Sequence, residues 1–332
     1  MNLQEIAQIM TGNGKGILAA DESNGTCGKR FDGVGIEKTE ENRRLYRQML
    51  LTTPELESSI GGVILYDETF RQKADNGQTF PELLFAKGIM PGIKVDMGLK
   101  DLVNFPREKH TSGLDGLRER LAEYAKLGAK FAKWRAAITI TDTLPSDCAV
   151  WTSAKELAHY AALCQEAGIV PIVEPEVLID GNHTIERSKE VMINVLSIVF
   201  KELKNFKVDL TGTVLKPSMV IAGSDCDDQA SVAEVADMTV AVLKKCVPAN
   251  VAGIAFLSGG QTEIQATENL NAMNQNHELP WNLTFSYGRA LQQSALNTFA
   301  TGDTTGAQAL LGHRAKMNSK ASKGEYTSSN EA

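Results

Sequence analysis

Cysteine is scarce and badly spaced for either of its structural uses. Cys27, Cys148, Cys164, Cys226 and Cys246 are odd in number and far apart, with no C-x-x-C pair. This argues against a disulfide framework or a zinc knuckle and suits reduced, mostly buried thiols. Histidine is equally thin: His110, His159, His183, His277 and His313 are scattered, with no H-x-x-E-H or other paired spacing, so no metal is expected. Basic charge is not in excess either. The 34 lysines and arginines face 41 aspartates and glutamates, a net charge of −7, and no basic stretch stands out. A general binder of nucleic acid or of acidic membranes is therefore not expected, and any anionic ligand must be drawn by a local cluster of cations. No apolar run approaches a membrane span, and the segment Met1–Met10 reads as an amphipathic helix carrying Glu5 rather than a signal peptide. The nucleophile elbow G-x-S-x-G, the P-loop and the dinucleotide fingerprint are missing as well. Ser329-Asn-Glu-Ala332 is not a peroxisomal or retention address, so a cytoplasmic location is the expectation.

What is present is an ordinary globular composition, 42% hydrophobic and 23% charged over 332 residues, enough for one large α/β domain. Short apolar runs alternate with helical patterns along the chain. The candidate strands are Gly16–Ala20, Gly62–Tyr66, Gly92–Val95, Ala129–Lys133, Ile169–Val173, Gly212–Leu215, Gly253–Leu257 and Leu283–Ser286. Between them, Thr111–Ala125 carries leucines at helical spacing, Ser153-Ala-Lys-Glu156 reads as a capping box opening a helix toward Gly168, and Asp228 or Ser231 is placed to cap a helix ending near Cys246. Strands of continuous hydrophobicity alternating with helices indicate a parallel sheet with its outer face covered. Eight such strands predict a closed (β/α)8 TIM barrel, with a doubly wound open sheet as the alternative.

The polar residues decide between the two. Asp21, Asp67, Lys94 (or Asp96), Lys133, Glu174, Lys216, Ser258 and Arg289 each lie within or just after the C-terminal end of a candidate strand. An open sheet collects ligand groups at a switch point, whereas a barrel gathers every strand end around one mouth. The expected organisation is a single barrel domain over residues 1–317. A flexible tail, rich in Ser, Lys, Gly and Asn, is expected over 318–332.

Lys216, in Gly212-Thr-Val-Leu-Lys-Pro-Ser218, closes an apolar run and is stopped at once by a proline. Burial disfavours an ammonium, and a second lysine in the same mouth, Lys133, is expected to disfavour it further, leaving an amine able to attack carbonyl carbon. Glu174, from Val173-Glu-Pro-Glu176, can then move protons as water leaves, with Asp21 close by. Two loops suit phosphate. Leu257-Ser-Gly-Gly260 presents Ser258, Gly259 and Gly260, and Ser286-Tyr-Gly-Arg289 presents Gly288 and Arg289: glycines admit the anion to backbone N–H groups and the arginine supplies a bidentate clamp. Lys94 and Arg135, with the hydroxyls of Ser23 and Thr26, form a second positive set. Two anion sites flanking an imine-forming lysine imply a substrate phosphorylated at both ends.

Leu18-Ala-Ala-Asp-Glu-Ser23, Gly92-Ile-Lys-Val-Asp96, Phe131-Ala-Lys-Trp-Arg135, Ile172-Val-Glu-Pro-Glu176, Leu215-Lys-Pro-Ser-Met-Val220, Phe256-Leu-Ser-Gly-Gly-Gln261 and Phe285-Ser-Tyr-Gly-Arg-Ala-Leu291, in this order, resemble class I fructose-bisphosphate aldolase over nearly the whole chain. The resemblance implies a carbon–carbon lyase of glycolysis and gluconeogenesis that uses no metal or organic cofactor. It implies that Lys216 is the Schiff-base lysine and Glu174 the acid/base, supported by Asp21, Lys133 and Glu176. Ser258, Gly259, Gly288 and Arg289 would hold the ketone-side phosphate, and Ser23, Thr26, Lys94 and Arg135 the far one. The partners implied are phosphorylated sugars and, as is usual in the family, three further copies of the chain in a homotetramer. Which of Asp21 and Glu174 takes the C4 hydroxyl proton is left open. Thr26 stands where the family usually has serine, and Met97 where many relatives have lysine. Animal members end in a tyrosine that assists proton transfer, whereas Tyr326, six residues before Ala332, is expected to be a bystander.

Overall fold

The computed structural model describes residues 1–275 and 278–331; His277 lies outside them. The chain forms β1 (Gly16–Ala20), β2 (Ile60–Leu65), β3 (Met90–Lys94), β4 (Leu99–Asp101), β5 (Lys109–Thr111), β6 (Phe131–Ile138), β7 (Val170–Val177), β8 (Val214–Leu215), β9 (Gly253–Phe256) and β10 (Leu283–Tyr287). Eight of these close into a parallel barrel in the order β1-β10-β9-β8-β7-β6-β3-β2. The (β/α)8 barrel is thus observed. The strands β4 and β5 instead make a small antiparallel hairpin, which the sequence reading did not foresee because they are only three residues each and mostly exposed or half-buried.

Side chains alternate across a strand, so positions two apart share a face. On the inner face Ile17, Ala19, Ile64, Met90, Phe131, Val170, Ile172, Val214 and Ala255 form one apolar cluster that fills the barrel, with Ile6, Ala7 and Met10 of the N-terminal helix closing its lower end. Two glycines show how tightly. A Cβ on Gly61 would lie 2.1 Å from the Ile9 carbonyl oxygen, and one on Gly92 would lie 2.2 Å from the Phe131 ring. The next inward positions after this plug are Asp21, Lys94, Lys133, Glu174 and Lys216. Burying the apolar layers below leaves the charged layer as the floor of the mouth.

Several boundaries differ from expectation, for identifiable reasons. β6 and β7 run well past Lys133 and Val173, and they stay paired from Phe131 opposite Val170 to Ile138 opposite Val177. Their inward charges alternate with outward Trp134, Ala136, Val173 and Val177, which are buried against the outer helices. The expected capping box at Ser153 is overturned. That helix begins at Asp147 with Ser146 as its cap, Ser153 is buried in its interior, and Glu156 instead accepts the Thr111 N–H at 2.9 Å. The helix expected from Thr111 begins at Leu117, because Lys109–Thr111 is the second strand of the hairpin. Ser231, rather than Asp228, caps Val232–Cys246 through a reciprocal box with Glu234. The boundary placed at 317/318 falls inside the helix Thr304–Ala321. Beyond it Tyr326 is buried, its N–H donating to Asn271 and its hydroxyl to Glu331, so polar composition here does not mark an unpacked tail. Among the described residues no helix is long and apolar enough to cross a membrane.

Candidate active site

Lys216 follows β8 directly; its N–H donates to the Val173 carbonyl at 2.8 Å, and its Nζ lies 3.1 Å from Glu174 Oε1. The other Glu174 oxygen, Oε2, faces Lys133 Nζ at 3.5 Å. Lys133 in turn pairs with Asp21 Oδ2 at 2.7 Å and stands 4.0 Å from Asp96 Oδ2. The result is an alternating row, Lys216–Glu174–Lys133–Asp21. Lys133 is therefore not the nearest charge to Lys216: the glutamate stands between the two ammoniums.

The row fixes two protonation states. Burial alone would raise the Asp21 carboxyl, but the Lys133 and Lys216 ammoniums outweigh it and hold the group down at about 2. Burial would likewise lower Lys133, but Asp21, Glu174 and Asp96 outweigh that and push it well above the ordinary lysine range. Lys133 is thus a fixed cation and Asp21 a fixed anion at neutral pH. Glu176 joins neither: it pairs with the Arg135 guanidinium Nε on the next strand.

Two cavities open on this row. The larger, about 820 Å³, is lined by Ser23, Thr26, Lys94 and Arg135. The smaller, about 460 Å³, is lined by Glu174, Lys216, Ser258, Gly259, Gly288 and Arg289. Asp21, Glu22, Thr26 and Lys133 line both and so form the partition between them. Ser23, Lys94 and Arg135 line only the larger of the two and Ser258, Gly259, Gly288 and Arg289 only the smaller, while Thr26 lies on the boundary and lines both. Ser23 and Thr26 reach the larger lobe because Ser23 caps the helix Asn24–Asp32; their hydroxyls lie 3.2 Å apart. Arg289 reaches the other as the first residue of the helix Arg289–Phe299, with Gly288 as its cap. Gly259 has φ +52°, a left-handed turn that favours glycine. Gly260 does not line the mouth; it faces a neighbouring hollow with Gln261 and Ile264. Met97, at the rim of the larger lobe, is 64% exposed and brings no charge to it.

From the sequence no role is expected for Arg30 or for the Ser286 hydroxyl, and Asp96 is only the alternative to Lys94 at a strand end. Arg30 lines the smaller lobe with its Nη1 held by Glu22 and Gln292, while its Nε and Nη2 are buried without a partner. The Ser286 hydroxyl lines the same lobe and is likewise buried and unpartnered. Orphaned buried donors are costly unless a ligand satisfies them, and donors of this kind fit an anion. The pair Lys29-Arg30 was visible, but in the last turn of a helix it reads as an ordinary complement to the helix dipole. Among the described residues no group of three or more His, Cys, Asp or Glu could hold a metal ion.

The chain is similar throughout its length to proteins of one kind. The family model described as fructose-bisphosphate aldolase class-I matches residues 2–332. A probable fructose-bisphosphate aldolase class 1 from Xylella fastidiosa is 54% identical over 327 residues, 98% of each chain. Fructose-bisphosphate aldolase C of Carassius auratus is 50% identical, covering 98% of this chain and 91% of its own. Among solved structures, fructose-bisphosphate aldolase from Plasmodium falciparum, in a ternary complex with TRAP and a small-molecule inhibitor, superposes with a TM-score of 0.96 at 47% identity, covering 98% of this chain and 95% of the other.

Proposed function

The chain belongs to the class I fructose-bisphosphate aldolase family, and on that premise we propose that Lys216 is its imine-forming lysine, Glu174 its proton carrier, and Lys133 with Asp21 the charges that frame them. The reaction is the reversible cleavage of fructose 1,6-bisphosphate to dihydroxyacetone phosphate and glyceraldehyde 3-phosphate, a carbon–carbon lyase step of glycolysis and gluconeogenesis. The observation that carries the residue assignment is the 3.1 Å contact between Lys216 Nζ and Glu174 Oε1, with the second glutamate oxygen facing Lys133.

From this contact Glu174 takes the Lys216 proton, freeing the amine to add to the C2 carbonyl. It then returns a proton to the departing hydroxyl, so that water leaves and a cationic imine forms. When the C4 hydroxyl gives up its proton, the C3–C4 bonding electrons flow into that cation, and the aldehyde departs from an enamine rather than from a bare carbanion. A carboxylate held at about 2 and tied to Lys133 is a poor proton acceptor at neutral pH, which counts against Asp21 for this step, whereas Glu174 is in direct contact with Lys216. Lys133, a fixed cation between the lobes, stabilises the oxygen anions that develop on either side.

Ser258, Gly259, Gly288 and Arg289, joined by Arg30 and Ser286, are proposed to take the ketone-side phosphate, and Ser23, Thr26, Lys94 and Arg135 the far phosphate. Glu176 acts through Arg135 by holding its guanidinium. A homotetramer and a cytoplasmic location complete the proposal by family resemblance. Borohydride reduction in the presence of dihydroxyacetone phosphate, followed by peptide mapping, tests its centre. One covalent adduct on Lys216 is expected; an adduct on Lys133 or Lys94 instead overturns the assignment.

A further inference from the structure

Asp96 follows β3 by two residues and has a side chain only 4% exposed. Its Oδ1 accepts from Lys94 Nζ at 2.5 Å and from the Gly98 N–H at 3.2 Å. Lys94 Nζ also donates to the Asp96 main-chain carbonyl at 2.9 Å. On the other side, Oδ2 accepts from the Arg135 N–H at 3.4 Å and lies 4.0 Å from Lys133 Nζ. One buried carboxylate thus touches the ammonium of the larger lobe, the backbone that carries that lobe's arginine, and the edge of the central cation. Two of the three Lys94 N–H bonds are engaged by Asp96, which leaves one for the lobe.

A free lysine has four rotors and loses that freedom when it grips an anion. A lysine already held by a buried acceptor loses less on binding. Against this, the Asp96 charge repels an incoming phosphate. The geometry decides in favour of positioning: Asp96, itself at the edge of the larger lobe but only 4% exposed, grips Lys94 through both a side-chain and a main-chain oxygen, and the Gly98 N–H fixes Asp96 in turn.

We propose that Asp96 is a positioning residue for the far phosphate, acting through Lys94 and so setting the preference for a bisphosphate over a monophosphate ketose. The inference rests on reading the larger lobe as the far-phosphate site. It predicts that the two residues act as one unit.

The test is a double-mutant cycle of Asp96→Asn and Lys94→Met, with KM and kcat measured for fructose 1,6-bisphosphate and for fructose 1-phosphate, and melting curves to confirm folding. Asp96→Asn should raise KM for the bisphosphate about tenfold more than for the monophosphate, the scale of one charge-assisted hydrogen bond. In the Lys94→Met background the same change should add less than about twofold. An equal effect in both backgrounds, or a tighter KM for the bisphosphate in Asp96→Asn, overturns the proposal. If Lys94→Met shifts the preference and Asp96→Asn does not, the role of Asp96 fails alone; if Lys94→Met shifts nothing, the reading of the lobe fails first. Asp96→Ser repeats the measurement should the asparagine variant melt early.

Discussion

Replacing Lys133 by methionine leaves the shape of the side chain largely in place and removes a cation that faces three buried carboxylates. Asp21 at 2.7 Å, Glu174 at 3.5 Å and Asp96 at 4.0 Å all lose it. Breaking a buried ion pair by deleting one partner costs about 3–5 kcal/mol, because the remaining charge stays buried without its counterion. One part can be worked from Asp21. A carboxyl held at about 2 against an ordinary 3.8 is worth about 2 kcal/mol at neutral pH, of which Lys133 supplies the leading favourable share. A depressed carboxyl contributes stability that is present above about pH 4 and lost as pH falls toward about 2. In Lys133→Met the Asp21 carboxyl loses the leading group that offsets its burial and is raised instead, so it begins to take up a proton, and to relieve the penalty, above pH 4. The gap between wild type and variant should therefore be widest near pH 7.5 and close as the pH falls. Urea unfolding followed by circular dichroism at pH 7.5, 6, 5 and 4 measures it, and Asp21→Asn added to Lys133→Met should recover part of the loss. A gap that is the same at pH 5 and pH 7.5, or no loss at pH 7.5, would falsify the view that Lys133 is held by these carboxylates.

Arg289→Ala should weaken binding of any substrate carrying the C1 phosphate by about 1.5–3 kcal/mol, whereas Arg135→Ala should erode the advantage of the bisphosphate over fructose 1-phosphate. Equal proportional losses on both substrates in both variants would sink the division into two lobes. Tyr326→Phe removes a hydroxyl that donates to Glu331 at 3.0 Å and lines neither lobe, so turnover and proton exchange at C3 of dihydroxyacetone phosphate should be unchanged, while stability falls by about 0.5–1.5 kcal/mol. A selective fall in proton exchange with cleavage intact would give Tyr326 a chemical role.

The barrel was legible because its strands are short, apolar on both faces and separated by helices with recognisable spacing. The candidate site was legible where its residues lie on those strands, since a charge at the end of an apolar run announces itself: Lys216, Lys133 and Glu174 stand out in this way, and the structure brings them into one row. The errors came from contacts that local sequence does not encode. Ser153-Ala-Lys-Glu156 has the pattern of a capping box, yet the helix had already begun at Ser146, and Glu156 serves the Thr111 backbone 45 residues away instead. Arg30 was passed over because a basic residue in a last helical turn has an adequate local explanation. Only barrel closure shows that its outer donors have no partner, since Gln292, one of the groups holding it, comes from 262 residues further along the chain.

The same distinction explains why the roles of the two carboxylates were left open by the sequence. Asp21 and Glu174 are both inward, both buried and both at the mouth, so pattern gives them equal standing. Their difference lies in which lysine each one touches. Asp21 pairs directly with Lys133, the fixed cation, and the charges of Lys133 and, further off, Lys216 outweigh its burial and hold it at about 2. Glu174 bridges that fixed cation to Lys216, whose proton must move in the imine formation proposed above. A carboxylate between a permanent and a labile ammonium can give and take a proton without leaving its place, and that position is set by the register of β6, β7 and β8 rather than by any feature of the glutamate itself.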